Sequence, residues 1–121
     1  MTSEHNELIS ITEKLCTFIN KIEMCFEKTQ QRKEEPDFFA TVKPFADDVY
    51  QTVKAWEDAS KKWITSQRPK NIHIQQIDST VENINMVSVQ CFYPDTKSKR
   101  FKGMIQSIHY VLEDILNKAK A

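Results

Sequence analysis

Residues 3–28, SEHNELISITEKLCTFINKIEMCFEK, carry the pattern that decides the fold class. Apolar residues fall at Leu8, Ile11, Leu15, Phe18, Ile22 and Cys25, in alternating steps of three and four, and Ile19 and Phe26 widen the stripe. The opposite face carries Glu13, Asn20 and Glu27. Steps of three and four return to the same side of a 3.6-residue helix, so the segment reads as an amphipathic helix of about eight turns facing a core. Ser3 is placed to cap its start, and Glu4 and Glu7 sit where the positive end of the helix dipole favours carboxylates.

Outward from this helix the same period recurs. The segment EEPDFFATVK, residues 34–43, is bounded by Pro36 and Pro44 and predicts a short helical turn across 36–42, followed by a fresh start or a kink at Pro44. A second long helix runs to about residue 66, with Phe45, Val49, Val53, Trp56, Ala59 and Trp63 on one side, and Pro69 ends it. A third spans roughly 72–92, with Ile74, Ile77, Val81, Ile84, Val87 and Cys91 inward, stopped by Pro94. The fourth, about 98–118, carries Phe101, Met104, Ile105, Ile108, Val111, Leu112, Ile115 and Ala119. The chain holds a single glycine, Gly103, whereas sheets need glycine-bearing turns repeatedly. The fold class is therefore all-α, an antiparallel up-down-up-down four-helix bundle whose second helix is preceded or kinked by a Pro-bounded turn. Residues 1–121 form one helical-bundle domain.

Lys plus Arg and Asp plus Glu both number 17, leaving no net positive excess for counterion release, so a dedicated nucleic-acid binder is not expected. No apolar run approaches the roughly 20 residues of a membrane-spanning helix, so no membrane partner is expected. The polar, acidic start MTSEHNEL lacks the charged-then-apolar order of a signal peptide. Three widely spaced cysteines, Cys16, Cys25 and Cys91, do not read as a disulfide framework; the expectation is a cytoplasmic protein with reduced thiols. Cys25 and Cys91 are expected in one buried layer near Phe45 and Phe101, but as diagonal partners too far apart to be bridged.

The segments PDFFATVKPFADDV (36–49), HIQQIDSTVENI (73–84), QCFYPDTKSKRF (90–101) and IHYVLEDIL (108–116) occur in an order that resembles the YppE-like family of small uncharacterised bacterial proteins. The resemblance spans about residues 35–116. It implies a four-helix up-and-down bundle and a cytoplasmic bacterial protein, and it transfers no catalytic or ligand residue.

A search for chemistry leaves no catalytic residue, metal ligand set or cofactor to name. The residues three before His5, His73 and His109 are Thr2, Lys70 and Gln106, so the Glu-x-x-His pairs of carboxylate-bridged metal bundles are absent. His5 and His73 are expected at one end of the bundle as solvated residues, and His109 at the boundary of the core. Cys25 and Cys91 fall on core stripes, and no histidine stands ready to activate Cys16. One glycine cannot build a phosphate loop. Trp56 and Trp63, one heptad apart, read as core.

The oddity is the basic run Lys97, Lys99, Arg100 and Lys102 at the start of the fourth helix, where cations oppose the dipole. Either acids at the same end pair with it (Glu34, Glu35, Asp37, Asp47 and Asp48), or it meets an outside anion or acidic partner. Six aromatic residues share that end by topology: Phe38, Phe39, Phe45, Phe92, Tyr93 and Phe101. Some plug the core. Aromatic anchors ringed by cations also compose protein-binding hot spots, which makes Phe39, Tyr93, Lys97 and Arg100 the candidate partner-binding residues. The functional expectation is a non-enzymatic adaptor or regulatory module acting through an unidentified protein partner; the alternative is a bundle that binds a small ligand or metal.

Overall fold

The computed structural model describes residues 3–121; the side chain of Ser3, expected to cap the first helix, lies outside the described residues. Four helices follow in order: α1 (Ser3–Arg32), α2 (Lys43–Gln67), α3 (Ile74–Gln90) and α4 (Ser98–Lys120), and no strand occurs among the described residues. Sequence neighbours pack side by side and α4 closes the ring against α1, so α1 touches α3 only narrowly across the diagonal. This is the up-down-up-down bundle expected of short connections.

The centre is filled by side chains of all four helices, among them Leu8, Leu15, Ile22, Trp56, Ile77, Ile84, Ile108 and Leu112. On α1 the face most removed from water is Leu8, Thr12, Leu15, Ile19, Ile22 and Phe26, whereas Ile11, Phe18 and Cys25 lie on its flank. The stripe is turned from its expected centre because α1 is gripped on two sides, by α2 and α4, and the buried line bisects them. Phe45 and Ala59 on α2, and Ile74 and Val81 on α3, are likewise flanking rather than central. Buried Thr12, Thr52, Ser60, Thr80 and Ser88 take places that a reading of apolar letters leaves polar. Thr12 and Thr80 manage this by donating to the carbonyls of Leu8 and Gln76, each at 2.7 Å, so their hydroxyls bring their own acceptor into the core. Trp56 then donates its indole N–H to Thr12 Oγ1 at 3.0 Å, joining α1 to α2.

The Pro-bounded segment is a π-helical turn, Phe38–Val42, that runs directly into α2. Asp37 caps it by accepting from the Ala40 N–H at 3.0 Å. Its backbone bonds reach five residues back, from Lys43 N–H to the Phe38 carbonyl and from Val42 N–H to the Asp37 carbonyl. The wide turn removes the clash that the Pro44 ring would make with the Ala40 carbonyl in a plain α-helix, so the break falls at Pro44 as a change of pitch. Lys33, Arg68 and Asn71, at or between helix ends, lie in the left-handed region, a conformation that usually favours glycine, while Gly103 sits inside α4 with open space where a Cβ would stand. α3 starts at Ile74, where Gln76 Oε1 accepts the His73 N–H at 2.7 Å, and it gives way at Gln90 to the turn that leads to Pro94.

Cys91 is fully buried, as expected, whereas Cys25, expected to be buried with it, is only half-buried. The two residues nonetheless touch across the diagonal. Cys25 Sγ lies 3.6 Å from the Cys91 carbonyl oxygen, so the end of α3 reaches α1 across the diagonal.

Candidate functional site

The end formed by the α1–α2 and α3–α4 connections is held together by polar ties to loop backbone. Thr29 donates to the Cys91 carbonyl at 2.8 Å and Gln30 to the Pro94 carbonyl at 3.3 Å, so the C-terminal turns of α1 anchor the connection after α3. Thr96 donates back to Gln90 at 2.7 Å. The aromatic residues divide into two groups. Phe101 is buried and stacks on Phe26, with ring centroids 4.0 Å apart, while Phe45 bridges Phe18 and Phe92 edge-on at 5.8 and 5.6 Å. These rings plug the core.

Phe38 and Phe39 do not. They meet each other edge-on at 5.2 Å and stand 45% and 77% exposed on the π-helical turn. Tyr93 is half-buried, and Lys97 and Arg100 are exposed at the start of α4. The four candidate residues thus share one end of the bundle, although no hydrogen bond or ring contact joins Phe39 to the other three among the described residues.

The cations of the basic run are unpaired. Among the described residues none of Lys97, Lys99, Arg100 and Lys102 makes an ion pair, and of the acids expected to meet them Asp47 is taken by Lys43 at 2.7 Å. Glu34 and Glu35 instead face a cleft of about 530 Å³ between α1 and the α1–α2 connection, across from Lys21, Lys28 and Arg32. Cys25 opens into this cleft and Phe92 and Met24 form its apolar wall. A hydrogen bond from the Cys91 thiol draws the Cys25 thiol down from its ordinary 9.0 to about 7, against the effect of burial and with help from Thr29 and Lys28. The same contact, together with burial, pushes the Cys91 thiol well up. Cys16 is raised by burial and then by Glu113 and Glu13. No part of this thiol pair was legible in the spacing of the cysteines, since it depends on where the last turn of α3 ends.

His109 is a boundary residue, as expected; its Nε2 is 2.6 Å from Glu23 Oε1, tying α4 to α1. His5 lines a hollow beside Trp63 at the other end of the bundle, and His73 precedes α3. No group of three or more His, Cys, Asp or Glu side chains is arranged to hold a metal ion among the described residues. No helix among the described residues is long and apolar enough to cross a membrane.

The fold defines a small four-helix bundle, and the features described above gather at its α1–α2 and α3–α4 loop end. Residues 12–119 match the bacterial domain of unknown function DUF1798, and the chain belongs to that family. It is 25% identical over 108 residues to the uncharacterised protein YppE of Bacillus subtilis, covering 89% of this chain and 88% of that one. A Listeria innocua protein of unknown function superposes with a TM-score of 0.94 at 22% identity, over 99% of this chain and 96% of its own. The crystal structure of YppE superposes at 0.89 with 24% identity, covering 98% and 94%. A family member from Staphylococcus aureus superposes at 0.87 with 23% identity, covering 95% and 97%. These likenesses establish the shared bundle.

Proposed function

We propose that this protein is a non-enzymatic bacterial module of the cytoplasm, an adaptor or regulator that works by binding another protein through its loop end. The observation that carries this reading is the basic run, without an ion pair among the described residues, at the same end of the bundle as exposed Phe38 and Phe39. Four cations at a helix N-terminus oppose the dipole, and among the described residues none gains an ion pair that would offset this. An acidic or amphipathic partner would supply the missing counter-charges while Phe39 and Tyr93 bury apolar surface against it.

The test compares wild-type protein with the F39S/Y93S/K97E/R100E variant, both immobilised in extract of the host. The expected result is a protein held by wild type, lost with the variant and released by salt, with both baits equally folded by circular dichroism. A folded variant that retains every protein held by wild type removes this surface from the reading.

A second reading, a small-ligand bundle, rests on the groove of about 450 Å³ between α1 and α4, where Phe26, Phe101 and Ile105 meet Glu23 and His109. Native mass spectrometry of protein purified from the host tests it, through a stoichiometric mass increment that is lost on denaturation.

A further inference from the structure

Cys25 and Cys91 are 66 positions apart in sequence and are brought together only by the packing of α1 against the last turn of α3. Their environments are unequal. Cys25 is half-buried and opens into the cleft lined by Lys21, Lys28 and Arg32 together with Glu34 and Glu35, whereas Cys91 is sealed in the core behind it. Cys25 Sγ stands 3.6 Å from the Cys91 carbonyl oxygen, so the two residues are in direct contact across the bundle. A half-exposed thiol among cations, backed by a second thiol with no route to solvent, is the arrangement of an attacking and a resolving cysteine.

We propose that Cys25 and Cys91 form a reversible dithiol–disulfide site, in which a small peroxide entering the basic cleft oxidises Cys25 and Cys91 resolves it. The Cys25 thiolate attacks one peroxide oxygen; the S–O bond forms, the O–O bond breaks, and the departing oxygen takes a proton to leave as water or an alcohol. The Cys91 sulfur then attacks the sulfenic sulfur of Cys25. The S–S bond forms, the S–O bond breaks, and the hydroxyl leaves as water with the proton of Cys91. The two cysteines lose two electrons and the peroxide gains them; a small dithiol returns the pair to its reduced state by exchange. The lowered affinity of Cys25 for its proton agrees with its role as the attacking thiol. Cys16, with burial and two glutamates raising its own, is the internal control.

The site stands independently of the partner-binding reading, and its test is on wild-type protein. Folded protein is exposed to hydrogen peroxide, blocked with iodoacetamide, and examined by intact-mass and peptide mass spectrometry. The expected product has lost two hydrogens, contains linked Cys25 and Cys91 peptides, keeps Cys16 free to alkylate, and reverts on adding dithiothreitol. Peptide mapping separates this from oxygen addition at Met24, which is 58% exposed on the rim. In C91S a sulfenic acid at Cys25 persists and is captured by dimedone, and in C25S the link is lost. Wild-type protein in which Cys25 proceeds to the sulfinic acid without linking, or in which Cys16 oxidises as fast as Cys25, overturns the proposal, however the variants fold.

Discussion

The buried hydrogen bond between Trp56 and Thr12 offers a sharp test of how α1 is joined to α2. Thr12 Oγ1 donates to the Leu8 carbonyl and uses a lone pair to accept the Trp56 indole N–H, and both residues are fully buried. In T12V the shape is nearly kept, and the Leu8 carbonyl still has a helical backbone partner. The indole N–H is left in the core with nothing to donate to, at a cost of about 1–3 kcal/mol. W56F removes the donor and part of the ring and leaves a cavity. A cost of about 2 kcal/mol is expected, less than the roughly 3–5 kcal/mol of truncating a buried Trp to Ala. In the double variant the orphaned donor no longer exists, so adding T12V to W56F is nearly neutral. The sum of the two single costs should therefore exceed the double by about 1–3 kcal/mol, the cost of T12V alone. Urea unfolding followed by far-UV circular dichroism gives the four free energies, and for a chain of this size 1 kcal/mol moves the thermal midpoint by about 3–5 °C. If T12V costs the same in both backgrounds to within about 0.3 kcal/mol, the hydrogen bond is not what makes Thr12 fit the core.

Ser60 is fully buried and its hydroxyl has no partner, so S60A is expected to stabilise the bundle by about 1 kcal/mol in the same unfolding assay; a loss of stability refutes this. Gly103 lies inside α4 with open space where a Cβ would stand, so G103A is expected to raise stability by about 0.5–1 kcal/mol, seen as a higher midpoint in urea. K97E/R100E and F39S touch exposed residues without ion pairs, and each is expected to leave the unfolding free energy within about 0.5 kcal/mol of wild type; a larger loss would make this end a core plug throughout. In C16S, alkylation of Cys25 by iodoacetamide depends on the thiolate, so its rate is expected to climb as pH rises through about 7, under the influence of Cys91, Thr29 and Lys28 and within a cleft that Lys21, Arg32, Glu34 and Glu35 also line. A midpoint near the ordinary 9.0 contradicts the hydrogen bond from Cys91.

Helix number, helix type and the antiparallel order were legible in the chain itself, because a 3.6-residue apolar period and proline stops are local properties that no neighbour needs to supply. The break at Pro44 was equally local, since the missing N–H and the ring's clash act within one turn, although its form as a π-helical turn was not readable from the letters. The exposure of Phe39, Lys97 and Arg100 was also foreseeable, from an excess of rings and cations around two short connections.

The rest depended on how the helices press together. The buried line of α1 passes through Thr12, Ile19 and Phe26 because α2 and α4 grip the helix from both sides, and a single-helix pattern has no means of fixing that rotation. Threonine and serine enter the core because each finds an acceptor in its own helix, as Thr12 and Thr80 do, or pays a penalty, as Ser60 does. Which acids meet which cations was likewise undecided by proximity along the chain. Lys61 crosses from α2 to Asp78 on α3, and Lys120 from the end of α4 to Glu13, while among the described residues the basic run at the start of α4 meets no acid. The Cys25–Cys91 pair is the clearest case: bundle topology placed the two on a diagonal, and only the packing of the end of α3 against α1 set the Cys91 carbonyl 3.6 Å from the Cys25 sulfur.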